Sequence, residues 1–185
     1  VSAAGFAKDW AEFTTAAALG IPPDAMSALG IDIGPHTAFF AAWWDRESWG
    51  LRYALAFECS ALMAPVMLRV LMEVPAVPLI RLAGTEAFVA RGKSVKLQGV
   101  RAAAMHAQTH ELHAVLGHCG IPAIARPAGT VKPWATDRRL EAAGLLKLAG
   151  SSPHIRDAGR HLLFSACQAG LPDPLSAIAR TGGTS

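Results

Sequence analysis

Three short stretches of this chain carry side chains whose types and spacing could do chemistry. The first is Gly30-Ile31-Asp32-Ile33-Gly34, an acid between small residues in an otherwise apolar run. An unpaired carboxylate on an apolar strand is costly to desolvate, so Asp32 must bind a cation, accept hydrogen bonds or face a cleft. A turn-forming aspartate between glycines is the bland alternative. The second is Glu86, reached from Pro78-Leu79-Ile80-Arg81-Leu82-Ala83 through Gly84-Thr85. Open α/β sheets present their sites at strand carboxyl ends, where such an acid can meet one from the first strand, although a strand-end glutamate is also commonly just solvated. The third is His154-Ile155-Arg156-Asp157. Residues three apart share a helical face, so His154 and Asp157 can point at one ion while Leu162 and Leu163 enter the core. After Ser151-Ser152-Pro153 the same residues also suit ordinary helix capping, the carboxylate being favoured by the helix dipole.

Two rivals stand beside these. Glu58, in Leu55-Ala56-Phe57-Glu58-Cys59, also ends an apolar strand. It leads into an apolar helix with no phosphate-binding groups, whereas Glu86 is followed by Phe88, a basic stretch over 91–96 and a helix bearing Arg101. That order favours Glu86 in the site and places Glu58 on a neighbouring strand as a structural acid. His106, His110 and His113, with His118 and Cys119 beyond, have the spacing of one helical face and could bind zinc. Gln108, Thr109 and Glu111 alternate with them, which reads better as a solvated face.

The elements that must position these groups can be read from periodicity. Residues 1–28 form an N-terminal appendage with a helical pattern around Trp10 and Phe13, ended by Ile21-Pro22-Pro23-Asp24. Residues 29–44 read as two strand segments about a turn at Gly34-Pro35, and 51–57 as a third. Residues 60–74 have the spacing of a buried helix at Leu62, Val66, Val70 and Leu71, with Pro65 in its first turn. A strand over 77–83 delivers Glu86. A long helix follows over about 94–116, with apolar positions at Val100, Ala104, Ala107, Val115 and Leu116. A short strand over 121–125 precedes helices near 136–148 and 155–169, and residues 171–185 read as a tail. The main domain therefore spans 29–170. Its order of elements suits an α/β fold, a mixed sheet sandwiched by helices.

Composition bounds the function without naming it. At 185 residues, 52% hydrophobic and 17% charged, the chain can bury one α/β core and is too short for two ordinary domains. Its net charge of +3 favours an anionic partner only weakly. The distribution says more, because Arg91, Lys93, Lys96 and Arg101 form one basic segment and Lys132, Arg138 and Arg139 another, which together could make a phosphate-binding surface. Trp134 is either a stacking residue or core. Cys59, Cys119 and Cys167 are widely spaced, so neither a disulfide framework nor a zinc ribbon is indicated and a reducing cytoplasm is expected. Residues 61–80 contain Arg69, Glu73 and three prolines and make a poor membrane span.

Over about residues 29–169 the chain resembles the RuvC-type Holliday-junction resolvases, and their bacteriophage branch in particular. The resemblance lies in Gly30-Ile31-Asp32-Ile33-Gly34, in Thr85-Glu86-Ala87-Phe88 with a basic helix-forming segment after it, and in His154-Ile155-Arg156-Asp157-Ala158. The phage-type members are also similar in Val131-Lys132-Pro133-Trp134-Ala135-Thr136 and in the Gly159-Arg160-His161 continuation. The resemblance implies an RNase H-like fold, a homodimer acting on branched DNA, and a site made of Asp32, Glu86, His154 and Asp157. The additional N-terminal segment and a compressed region between the first strand and Glu86 depart from the family pattern. Three carboxylates and an imidazole can hold two Mg²⁺ ions, with Mn²⁺ as a substitute, since hard cations prefer oxygen ligands. Such a pair, about 3.5–4 Å apart, would activate water for in-line attack on a phosphodiester and leave a 5′ phosphate and a 3′ hydroxyl. His154 is either a ligand or a proton-handling group. An actin-like sugar or acid kinase also opens with such a strand, but it needs a second lobe that 185 residues cannot supply. A non-catalytic nucleic-acid-binding module of the same fold would have no use for intact metal ligands.

Overall fold

In a computed structural model of the chain, residues 25–73, 80–87 and 95–176 are described. Their elements in order are β1 (Met26–Asp32), β2 (His36–Trp44), β3 (Leu51–Ser60), α1 (Ala64–Glu73), β4 (Ala83–Glu86), α2 (Val95–His118), β5 (Ala123–Arg126), α3 (Ala128–Trp134), α4 (Asp137–Ala142), α5 (Leu146–Ala149) and α6 (Pro153–Gln168). The strands form one five-stranded sheet in the order β3-β2-β1-β4-β5. β1, β2 and β3 form an antiparallel meander, while β4 runs parallel to β1 and β5 parallel to β4.

β1 is buried throughout and β2 is buried except at His36. Their unbroken apolar runs belong to strands covered on both faces. The pleat sorts them. Leu29, Ile31, Ile33, Phe39, Ala41 and Trp43 meet Leu68 and Leu71 of α1 and Leu112, Val115 and Leu116 of α2. Met26, Ala28, Ala38, Phe40, Ala42 and Trp44 meet Leu140, Leu145 and, from α6, Ala158, Leu162 and Leu163. Two cores thus lie on opposite faces of one sheet, which is the mixed sheet sandwiched by helices that the sequence leads one to expect.

Several local expectations need correction. β1 begins at Met26, and Ala25 and Ser27 are already buried, so the core starts before residue 29. The assigned strand β4 is only Ala83–Glu86, which makes Glu86 its last residue rather than one beyond it. α1 turns a different face inward: Ala64, Leu68 and Leu71 are buried, whereas Leu62 is 86% and Val66 50% exposed. A helix that is apolar nearly all round does not declare its inner face. α2 packs through its carboxyl-terminal half only, leaving Val100 75% exposed and Ala104 and Ala107 also exposed. α3 lies ahead of the helix expected near 136–148 and contains Pro133. Leu171 is buried and Asp173 pairs with Arg139, so the first part of the expected tail is packed. No helix among the described residues is long and apolar enough to cross a membrane.

Candidate active site

The site is built on a pair of glycines. Gly30 of β1 and Gly84 of β4 are register partners on the parallel pair. A Cβ on Gly30 would fall 1.9 Å from the Ala158 carbonyl oxygen, and one on Gly84 2.4 Å from that of His161 and 2.2 Å from Ser165 Oγ. The two glycines therefore form a saddle in which the backbone of α6 rests directly on the strands. Because side chains alternate along a strand, the residues two positions on, Asp32 and Glu86, share that face. Both acids end their strands, Asp32 against the first turn of α6 and Glu86 nearer His161 further along it.

That turn is held in place by its own residues. Ser152 is the N-cap, its side chain accepting from the Ile155 amide, and Pro153 occupies the first turn. His154 Nδ1 then lies 2.9 Å from Asp32 Oδ2. With Asp32 ionised the carboxylate accepts from Nδ1–H, and His154 Nε2 lies outside this bond. Ser152 also donates to Glu58 Oε1. Glu58 stands across from Ala38, which itself stands across from Asp32, so Glu58 is on the same face two strands away, roughly 10 Å along the sheet. It anchors the α6 cap at the margin, while Glu86 stands beside Asp32.

Asp157 is engaged differently. Lys132 Nζ of α3 donates to its Oδ2 at 2.5 Å, and the Arg160 guanidinium to its Oδ1 at 2.5 Å. Arg160 reaches on to Asp137 at 2.7 Å, which Arg156 also approaches at 3.5 Å. The α3 and α4 segment is thereby clipped to α6 by charge-assisted bonds.

The electrostatics mark Asp32 and Glu86 as a strained pair. Burial above all, then the hydrogen bond with Asp32 and the Asp32 and Asp157 charges, push Glu86 up to about 7 against the opposing pull of Lys132. Asp32 is also raised, by burial first, with the Asp157 charge adding to it and the bonds to Glu86 and His154 opposing it. Burial works against the charge of Lys132, yet its bond to Asp157 and the charges of Asp157, Glu86 and Asp32 hold it above its ordinary value. Two carboxyls that share a proton because like charges repel are a setting in which a cation can replace that proton. Asp32 and Glu86 therefore fit a hard divalent cation. Asp157 does not offer itself in this arrangement, since both its oxygens already face cations. Among the described residues no three His, Cys, Asp or Glu side chains converge on one point to hold a metal.

The structure thus brings together Asp32, Glu86 and His154 and sets Asp157 beside them behind Lys132. Three further neighbours escaped the sequence reading as site residues. Arg160 holds Asp157, and the His36 ring lies 6.4 Å from that of His154. His161 Nε2 lies 4.0 Å from Glu86 Oε2. His161 was visible as the fourth residue after Asp157 on the same helix, a spacing that signals a shared face. Of the basic residues, Lys132 is at the site and Arg138 is exposed. Arg139 is bound internally, by Asp173 and the Trp134 carbonyl and by stacking 4.6 Å over the Trp134 ring. Arg91 and Lys93, and the side chains of Lys96 and Arg101, lie outside the described residues. Of the histidine stripe, His106, His110 and His118 are exposed, but His113 is half-buried and bonded to Thr85 Oγ1 at 2.8 Å on the opposite sheet face.

No protein-family model matches the chain, and no curated protein matches it. Among solved structures, RuvC of T. thermophilus in complex with a Holliday-junction substrate matches with a TM-score of 0.56 at 18% identity, over 79% of this chain and 97% of that one. A second Thermus thermophilus RuvC structure matches at 18% identity with a TM-score of 0.49, covering 85% of this chain and 97% of that one. With the strand order 3-2-1-4-5, the first of these likenesses establishes the architecture: the chain has the RNase H-like fold, as in RuvC.

Proposed function

We propose that the chain is a divalent-cation-dependent endonuclease that cuts branched DNA, the four-way Holliday junction foremost, and that it works as a homodimer. The observation that carries this reading is the buried Asp32 with the half-buried Glu86 beside it, at the ends of β1 and β4, and Lys132 bonded to the neighbouring Asp157. The RNase H-like fold and the likeness to a RuvC that binds a Holliday junction support it. A two-fold enzyme also suits a junction with two symmetric scissile strands.

Bound Mg²⁺ or Mn²⁺, two ions per site in the full form of the proposal, would supply activated water and a charge sink for the leaving 3′ oxygen. Asp32 and Glu86 would hold the first ion. Asp157 would take part in holding a second once Lys132 leaves it, and an incoming phosphate is a natural competitor for that ammonium. His154, oriented by its Nδ1 bond to Asp32, would present Nε2 as a ligand or for proton handling. Lys132 and Arg138, with Arg91, Lys93, Lys96 and Arg101, would bind phosphates, whereas the internal bonds of Arg139 remove it from that set.

A nicking assay on labelled four-way junction, fork and linear duplex, with and without Mg²⁺, tests this. The expected result is Mg²⁺-dependent cleavage of branched substrates, abolished in D32N and D157N while junction binding survives. Full cleavage by either variant would overturn the site. Binding without cleavage by the wild type would indicate a non-catalytic module, and nucleotide hydrolysis in place of nicking a kinase-like enzyme.

A further inference from the structure

His161 sits where an apolar side chain would be expected. It is 1% exposed, between the core residues Ala158, Leu162 and Leu163 on α6, and its backbone carbonyl rests against Gly84. Its Nε2 is buried and has no hydrogen-bond partner. A buried polar atom left in this way is destabilising, and native cores seldom keep one without a use. The acceptor that Nε2 approaches is Glu86 Oε2, 4.0 Å away and just outside bonding range. A neutral imidazole can donate to a carboxylate without competing with a cation for it, unlike the ammonium that Lys132 places on Asp157. Carboxylates that hold metals are characteristically fixed by a further hydrogen bond of this kind.

We propose that His161 is a positioning residue for Glu86: its Nε2–H donates to one oxygen of the ionised carboxylate and turns the other toward a divalent cation held with Asp32. The inference rests on the proposed reading of the site, and it adds a residue outside Asp32, Glu86, His154 and Asp157. In the cation-free arrangement Glu86 bonds instead with Asp32, and Nε2 is left waiting. Loading the site exchanges the bond to Asp32 for the bond to His161.

The test separates positioning from packing by reading cation affinity and stability on the same variants. Mn²⁺ binding to full-length wild type, H161L and H161Q is measured by paramagnetic resonance, with melting temperatures taken without divalent ions. Leucine removes the unsatisfied nitrogen but keeps the bulk, so H161L is expected to melt no lower than wild type and to bind Mn²⁺ about tenfold or more weakly. H161Q, which keeps a donor, is expected to recover most of the affinity. A lower melting temperature for H161L with unchanged Mn²⁺ affinity would make His161 a packing residue and overturn the proposal. Should H161L fail to fold, the ¹⁵N resonances of His161 in Mg²⁺-loaded wild type decide the matter, Nε2–H supporting the proposal and Nδ1–H overturning it. A wild type that binds no Mn²⁺ would overturn the site reading and this inference together, whereas wild-type binding that H161L leaves intact overturns the inference alone.

Discussion

The two faces of the sheet are made from the same strands and solve opposite problems. On the face of α1 and α2 the strands present large apolar side chains, Leu29, Ile31, Phe39 and Trp43, and the helices answer with Leu68, Leu71, Leu112 and Leu116. Polar ties there include Gln108 to Thr37 at 2.6 Å and Thr85 to His113 at 2.8 Å. On the other face, Gly30 and Gly84 remove side chains altogether, so α6 approaches backbone to backbone and its first turn meets Asp32. A face packed by side chains can adjust by changing rotamers, whereas one packed through glycine onto carbonyl groups has little slack. Close packing of this kind suits a site in which His154 and Asp157 from a helix must register with acids from two strands.

The sharpest way to break the contrast is Gly30→Ala. Its Cβ would meet the Ala158 carbonyl at 1.9 Å, so α6 must lift, and a loss of about 3 kcal/mol or more is expected together with loss of cation binding. Denaturant unfolding and Mn²⁺ titration measure the two effects. Gly99→Ala in α2, where a Cβ meets nothing within 4 Å, should instead stabilise by about 0.5–1 kcal/mol. Leu112→Ala on the apolar face should cost about 2–5 kcal/mol yet leave cation affinity unchanged in the folded protein. If it weakened affinity as much as Gly30→Ala, the two faces would not be independent.

The acid face should also respond to pH through its raised carboxyl. Glu86 is raised from 4.5 to about 7, so it binds its proton more tightly in the folded chain than in the unfolded one. Its contribution to stability is then full below about pH 4.5 and lost as pH rises through about 7. Without divalent ions, the wild type should lose on the order of 2 kcal/mol over that window relative to E86Q, and Mg²⁺ should restore most of it. Melting curves at pH 4 to 8 check this, and parallel profiles for the two proteins would refute it. The smallest expected effect is that of Lys132→Ala. Losing one phosphate contact should lower the salt slope of junction binding by about 1, with Asp157 still held by Arg160. An unchanged slope would leave Lys132 as a structural clip only.

Much of this was legible in the chain itself. The unbroken apolar runs of β1 and β2, the Ser152-Pro153 start of α6 and the strand-end positions of Asp32 and Glu86 follow from local chemistry and periodicity. A further signal stood in plain view, Gly-x-Asp at 30–32 and Gly-x-Glu at 84–86, one glycine two residues before each acid. Two residues is one pleat repeat, so a glycine seat and an acid share a face wherever the segment is a strand. The spacing of His161 four residues after Asp157 was equally available.

What the sequence determined by itself was the strands, the two long helices α2 and α6, the apolar runs of β1 and β2 and the types of residue at their ends, because these depend on neighbours within a few positions, whereas α3 and the inner face of α1 were left to packing. Only the tertiary structure decided which charges meet. That Lys132 and Arg160 occupy Asp157, that Arg139 turns inward to Asp173 and Trp134, that Glu58 anchors the α6 cap and that His161 faces Glu86 all depend on segments far apart in the chain. Coulomb interactions and hydrogen bonds act over a few ångströms of space, and no local pattern encodes which distant segments the packing of a helix on a sheet will bring that close.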